Sequence, residues 1–350
     1  MWRLGHRPEL DGLRGIAILL VVAEHVLDYE FGWSLRAFGA VGVDVFFTLS
    51  GFLITEILVR EHAETGSISF VRFYRRRARR LMPPLAVLLL VLVTLRATMA
   101  TDIAPTIWPT VLYVANWVCS VGGHNLVALN PTWTLAVEEQ FYLVWPVALL
   151  LALRWRRGPE ALACAVIVLS AVERFAFHAD GRAYGGSDTQ AGPLLVGALL
   201  AILAHRGLPA LRSGSPAVPG CLVVGLLGVL PLQSLWVLHR LLPTLLPVVT
   251  AALIWSALSF PGGALAWRWL GHLGRRSYAV YLWNMPILFL ANLAGGKGAA
   301  QGLVVVLLVL GVAELSWRYV ERPVLGRGRS PRPHVTDEHR EVLVAPISAA

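Results

Sequence analysis

The sequence has little charge, little cysteine and almost no lysine. Only 15% of its 350 residues are charged and 56% are hydrophobic, whereas an average soluble domain has roughly 25% charged residues. So little charge could not cover the surface of a soluble enzyme of this length, and the mean hydropathy is +0.64. Three cysteines exclude a disulfide scaffold and show no metal-ligand spacing. The apolar content excludes a disordered chain.

The class that remains is an all-α polytopic membrane protein, because apolar runs of about 20 residues cross a bilayer as helices. We predict about ten transmembrane helices in one integral-membrane domain over 1–325, and a flexible cytoplasmic tail over 326–350. The predicted spans are 14–32, 38–58, 83–101, 135–153, 160–178, 190–206, 218–235, 242–259, 277–294 and 301–320. Segment 103–120, rich in Trp and Pro, is either an interfacial helix or an eleventh span.

The basic residues gather on one side of the predicted membrane. With the N-terminus inside and ten spans, 22 arginines fall in inner segments and four basic residues fall in outer segments. Cytoplasmic loops carry an excess of Lys and Arg, so this split predicts that both termini are cytoplasmic. The pI of 10.1 therefore reflects topology. We expect the lipid bilayer of the cell membrane as a partner, and no nucleic acid.

Ionisable side chains inside a span are costly, so each is a candidate functional residue. Arg14 and His25 stand 11 residues apart in the first span, which puts them on one helix face, about 16 Å apart along the axis. Asp11 can pair with Arg14. A lone histidine is usually a satisfied core residue, but its alignment with a charged pair favours a functional His25. Glu24 points about 100° away, and its role is open.

The second span and the segment after it add two further candidates. Asp44 lies about two turns below the outer end, and Ser50-Gly51 lies mid-membrane, where small residues permit close approach of either a ligand or another helix. The loop RFYRRRARRLMPP holds six arginines between 72 and 80 and ends in Pro83-Pro84 at a helix start. It is a topology signal, and the sharper interpretation is a phosphate-binding site.

The fourth span begins with NPTWTLAVEEQFYLVWP. Glu138, Tyr142 and Trp145 fall on one face at i, i+4 and i+7. Glu138 is either an acid–base group or a structural hydrogen-bond hub. Tyr278 and Tyr281, in RRSYAVYLWNMP, fit an interfacial aromatic anchor.

Six motifs together resemble the acyltransferase family 3 integral-membrane O-acyltransferases. They are LDGLRG, GVDVFFTLSGFLIT, RRARRLMPP, TWTLAVEEQFYLVWP, SYAVYLWNMP and YVERPV, in family order over residues 7–325. Each motif alone is weak, but six in order are highly specific. The resemblance implies transfer of an acyl group, usually from acyl-CoA, to a hydroxyl of a sugar or other acceptor.

By position, Arg14 and His25 match the family's essential pair, and Glu138 matches its recurring Glu. Arg77 and Arg80 match its basic motif. Asn284 replaces the usual His of YLWH-x-P, which makes His25 the stronger candidate for proton handling. We expect no C-terminal esterase-like domain, which some polysaccharide-acetylating members have.

The resemblance implies acyl-CoA as the donor, no metal, and a hydroxyl-bearing sugar, lipid or natural product as the acceptor. We predict His25 as the general base, because the ordinary pKa of His, about 6.5, suits that role. Glu138 or Asp44 would orient His25 or the acceptor, and a covalent acyl-enzyme at His25 or Ser50 stays open. The rival classes are a transporter or flippase, and a sensor or binding scaffold.

The predicted site residues fall into three groups. The catalytic candidates are His25, Glu138, Asp44 and Arg14. The acyl-CoA-binding candidates are Arg14, Arg76, Arg77, Arg80, Ser50 and Gly51. The acceptor-binding candidates are Tyr142, Trp133 and Asn284.

Overall fold

A computed structural model of the chain describes residues 5–32, 36–95, 104–121, 126–176, 181–209, 218–219, 223, 236–295 and 297–326. Over these ranges the chain forms helices and turns and no β-strand, which confirms the all-α class. The predicted span 218–235 lies almost wholly outside the described residues, and so does the predicted tail beyond 326.

The helices are α1 Pro8–Phe31, α2 Arg36–Thr65, α3 Phe70–Leu95, α4 Ala104–Val111, α5 Ala115–Ser120, α6 Thr132–Ala152, α7 Gly158–Ala176, α8 Gly181–Gly185, α9 Ser187–His205, α10 Trp236–Ser259, α11 Arg268–Arg275, α12 Ser277–Leu293, α13 Ala299–Ser316 and α14 Arg322–Gly326. Within the described ranges, five stretches are long and apolar enough to cross a membrane, namely Ala37–Thr65, Phe70–Leu95, Thr132–Ala152, Gly181–His205 and Ala299–Leu325. The chain is a multi-pass membrane protein. The number of spans and the side of each terminus stay predictions.

The segment predicted as either an interfacial helix or an eleventh span forms two short helices. α4 has eight residues and α5 has six, far fewer than the 20 or so that a span needs. The chain turns between them at Tyr113, whose φ is 54°. Within 104–121 the segment therefore does not cross the membrane as one helix.

The arginine-rich segment is helical, so its interpretation as a loop is wrong. α3 begins at Phe70 and runs through Pro83 and Pro84. Arginine favours helix, and membrane helices tolerate the carbonyls that proline leaves unbonded. Because the arginines are helical, Arg77 and Arg80 are three residues apart on one face and both turn towards the core.

A very close helix crossing joins α2 to α9. A Cβ at Gly51 would lie 1.7 Å from the carbonyl oxygen of Leu194, and one at Gly197 would lie 1.9 Å from that of Thr48. Only glycine permits such an approach of two main chains. α1 packs against both α2 and α11. These contacts hold α1 and α2 beside α3, α6 and α12, around a polar cavity.

Candidate active site

A cavity of about 90 Å³ lies between α1, α2, α3, α6 and α12, and we call it the central cavity. It has room for several water molecules, although it is smaller than most ligand pockets. Its polar lining is Arg14, Ser50, Arg77, Arg80, Thr134, Glu138, Tyr142, Ser277, Tyr278 and Tyr281. Six of the predicted candidates thus meet at one place: Arg14, Ser50, Arg77, Arg80, Glu138 and Tyr142.

The acidic part of this lining is Glu138 with its two hydroxyl partners. Ser50 Oγ donates to Glu138 Oε1 at 2.8 Å, and the Tyr142 hydroxyl donates to Oε2 at 3.1 Å. Tyr142 stands one turn after Glu138 on α6, whereas Ser50 reaches it from α2. The two bonds fix the carboxylate in the cavity wall and link two helices.

The basic part consists of three arginines from two helices. Arg14 comes from α1, and its Nη1 lies 3.6 Å from Asp11 Oδ1. Arg77 and Arg80 come from α3, and the Arg77 guanidinium lies 5.0 Å from the centre of the Tyr142 ring. Three guanidinium groups against one carboxylate give the lining a net positive charge. Such a group can bind phosphate oxygens.

Two tyrosines complete the wall, and their interpretation as interfacial anchors is wrong. The Tyr278 hydroxyl donates to the Leu81 carbonyl at 2.8 Å. The Tyr281 hydroxyl donates to the Pro131 carbonyl at 2.8 Å and lies 2.7 Å from Thr134 Oγ1. These bonds join α12 to α3 and to the start of α6. The spacing of three residues in SYAVY could have indicated a shared buried face.

His25 belongs to a second polar group, which we call the histidine cluster. His25 Nδ1 lies 2.6 Å from Asn284 Nδ2, and Nε2 lies 3.1 Å from Glu24 Oε2. Asn284 is fully buried. The carboxylate beside His25 is therefore that of Glu24. The sequence left the role of Glu24 open, because on a helix it points about 100° away from His25. That an ionisable residue lies within a predicted span was the feature that could have indicated a functional role for it.

The structure separates the histidine cluster from the central cavity. Ile18 and Val21 lie between Arg14 and His25 along α1, and both are buried in the apolar core. His25 is not among the described residues that line the central cavity. Glu138 contacts Ser50 and Tyr142 instead of His25.

The remaining candidates lie away from the central cavity in the described part of the chain. Asp44 is buried, and the charge of Arg174 acts on it. Gly51 packs against the main chain of α9. The ring of Trp133 contacts that of Tyr184 in a tilted arrangement, with the ring centres 4.9 Å apart. Arg76 is exposed on α3.

The comparison with protein families fits this architecture. The acyltransferase family 3 model, described as an acyltransferase domain, matches residues 7–317. The helices and the central cavity are thus parts of a membrane-embedded acyltransferase domain. The chain belongs to acyltransferase family 3.

Similar proteins come from three bacteria. The peptidoglycan O-acetyltransferase OatA of Listeria monocytogenes is 32% identical over 355 residues, with 92% of this chain and 56% of the relative covered. The putative peptidoglycan O-acetyltransferase YrhL of Bacillus subtilis is 31% identical over 360 residues, covering 92% and 55%. The O-acetyltransferase OatA of Staphylococcus aureus is 28% identical over 364 residues, covering 94% and 58%. The chain spans about half the length of these curated relatives. No solved structure matches it.

Proposed function

We propose that the chain is a membrane O-acyltransferase that moves an acetyl or other short acyl group from acyl-CoA to a hydroxyl group. The acceptor is a glycan, a glycolipid or a sugar-bearing natural product. The observation that carries the proposal is the central cavity, where three arginines face a hydrogen-bonded carboxylate inside the membrane. Membership of the family and relatives named peptidoglycan O-acetyltransferases support it.

The arginines are assigned to the donor. Guanidinium groups bind phosphate oxygens through two parallel hydrogen bonds, and acyl-CoA carries several phosphates. Arg14, Arg77 and Arg80 come from two helices and could hold such a group from two sides. Three arginines within membrane helices are costly unless they serve a ligand. The pantetheine arm is long enough to span the rise of about 16 Å from Arg14 to His25 along α1, and its passage requires the side chains of Ile18 and Val21 to move from between them.

The histidine cluster is assigned to proton transfer. Glu24 accepts from Nε2–H of His25, which leaves the lone pair on Nδ1 as the base. The acceptor hydroxyl takes the place of the Asn284 amide at Nδ1 and gives its proton to that nitrogen. The hydroxyl oxygen bonds to the thioester carbonyl carbon, and the carbon–sulfur bond breaks. The electron pair leaves with the CoA sulfur, which then takes the proton from His25.

The test uses the full chain in detergent with acetyl-CoA labelled in the acetyl group. The label is followed with and without soluble peptidoglycan fragments. We expect label on the fragments in an ester that mild alkali cleaves. Label that stays on the denatured protein would indicate an acyl-enzyme and overturn direct transfer. Failure to transfer label to peptidoglycan fragments, to glycolipids and to small glycosides, with CoA still bound, would overturn the proposal in favour of a transporter or sensor.

A further inference from the structure

A second and larger cavity lies beside the central one. Its volume is about 480 Å³, within the usual range of ligand pockets, and we call it the lateral cavity. It is lined by Tyr74, Arg77, Ala78, Met82, Leu112, Tyr113, Val114, Trp117, Glu139, Gln140, Tyr142 and Leu143. Arg77 and Tyr142 line both cavities and form the wall between them. A ligand in the lateral cavity would thus lie next to the proposed donor site.

The outer part of the lateral cavity is apolar and belongs to membrane-spanning helices. Met82 of α3 and Leu143 of α6 are both exposed, Leu143 at 64%. Leu112, which follows α4, is exposed as well. Exposed apolar side chains on membrane-spanning helices face the hydrocarbon of the bilayer. The cavity is therefore accessible to an alkyl chain that arrives from the lipid.

The inner part of the lateral cavity carries the carboxylate of Glu139, one oxygen of which has no hydrogen-bond partner in the described structure. Glu139 Oε1 is buried and accepts no hydrogen bond from any residue that the structure describes. Its neighbour Gln140 is already bonded, since Nε2 donates to the Tyr113 carbonyl at 2.7 Å and to Asn116 Oδ1 at 3.0 Å. A buried acceptor without a partner is costly, so its presence indicates a ligand with a hydroxyl donor.

The wall of the cavity is held in an unusual conformation. Tyr113 has a φ of 54°, which is uncommon for any residue other than glycine. The bond from Gln140 to the Tyr113 carbonyl ties this turn to α6. A strained main-chain position that neighbouring groups hold in place often belongs to a binding site.

We infer that the lateral cavity binds an amphiphile, namely a compound with an alkyl chain and a neutral hydroxyl group. The alkyl chain lies between Met82, Leu112 and Leu143, and the hydroxyl donates to the Glu139 carboxylate. This site is separate from His25, where the proposed reaction places the acceptor hydroxyl, and the wall of Arg77 and Tyr142 separates it from the donor phosphates. The inference does not rest on the proposed function, since the binding itself requires no reaction.

The test is photolabelling of the full chain in phospholipid nanodiscs with a diazirine-bearing dodecanol. Two variants are compared, Leu143→Trp and Val144→Trp. Both residues are exposed on α6, at 64% and 63%, but only Leu143 is among the described residues that line the cavity. A tryptophan at 143 fills the mouth, so labelling of α3 and α6 should fall about fivefold or more, with no change for Val144→Trp. The bond from the Tyr74 hydroxyl to the Leu143 carbonyl, 3.0 Å, involves only main chain at 143 and is kept.

A third variant tests the polar end. Glu139→Gln should weaken labelling by the alcohol up to about tenfold, because a neutral amide oxygen is a weaker hydrogen-bond acceptor than a carboxylate. Labelling by the corresponding methyl ether, which has no hydroxyl donor, should not change. Equal labelling of both tryptophan variants would show annular lipid only and would overturn the inference. Selective labelling without any acetyl transfer would support the lateral site and contradict the proposed function instead.

Discussion

The central cavity and the histidine cluster differ in charge, in the helices that build them and in what surrounds them. The central cavity joins α1, α2, α3, α6 and α12 and has three arginines against one carboxylate. The histidine cluster joins α1 to α12 and has one imidazole between an amide and a carboxylate. Both use the same face of α1, and the buried side chains of Ile18 and Val21 lie between them.

This difference indicates a division of labour along one helix. The arginines can hold an anion but have no group that exchanges protons near neutral pH. His25 can exchange a proton but has no cation beside it in the described structure. On this account Arg14, Arg77 and Arg80 bind the donor, and His25 acts on the acceptor hydroxyl. A change to the arginines should therefore weaken donor binding, whereas a change to His25 should lower the rate of transfer.

The largest effect is expected for His25→Ala. Loss of a general base costs about 10²- to 10⁴-fold in rate, and the label-transfer assay should show a loss of that size in kcat. The matched control is His272→Ala, since His272 is 55% exposed and pairs with Glu314. Near-normal transfer by His25→Ala, at normal membrane insertion, would contradict the role of the histidine cluster.

Glu138→Gln tests the acidic side of the central cavity. The amide keeps the shape of the carboxylate but loses the charge that Ser50 and Tyr142 bind. The wall that faces the donor arginines is then held less firmly, so transfer should fall about tenfold. Glu160→Gln serves as the control, because Glu160 pairs with Arg206 at 2.6 Å and does not line the central cavity as described. Equal activity of the two variants would show that Glu138 is only a structural hub.

Arg77→Ala tests the basic side. The KM for acyl-CoA should rise about 10- to 100-fold, since a hydrogen bond to a charged group contributes roughly 1.5–3 kcal/mol. Arg79→Ala removes the same charge from the exposed face of α3 and should change KM less than about threefold, because exposed charges are screened. A similar rise in both variants would attribute the effect to net charge and not to the cavity.

The smallest effect on activity is expected at Gly51, which packs against α9. Gly51→Ala should lower the free energy of unfolding by about 1–3 kcal/mol and lower Tm, because the added Cβ overlaps the Leu194 carbonyl. Gly311→Ala is the control, since nothing lies within 4 Å of a Cβ there. Its helical position should gain about 0.5–1 kcal/mol. A weaker donor affinity at an unchanged Tm in Gly51→Ala would instead assign Gly51 to the ligand.

The features that depend on local sequence patterns could be predicted, namely the fold class, the family and contacts within one helix. Low charge and repeated apolar runs indicated an all-α membrane protein, and the motifs indicated the family. The spacing of Glu138 and Tyr142 on one helix face predicted their contact, which is confirmed at 3.1 Å. The arginine segment failed as a prediction because two prolines suggested a helix start, whereas the helix continues through them.

Contacts between helices distant in the sequence could not be predicted in the same way. Ser50 meets Glu138 across 88 positions, and Asn284 meets His25 across 259. Such contacts depend on how α2 crosses α9 and how α12 sits against α1, which no local period encodes. Glu24 was left open because rotation per residue describes the backbone, while a long carboxylate side chain can bend towards its neighbour.

The division of labour between the two clusters is tested by the affinity of the purified chain for CoA itself, measured by calorimetry in detergent. We predict that His25→Ala leaves the Kd for CoA unchanged while transfer is lost, and that Arg77→Ala weakens CoA binding about 10-fold or more. A Kd that rises equally in both variants, or one that Arg77→Ala leaves unchanged, would contradict the account.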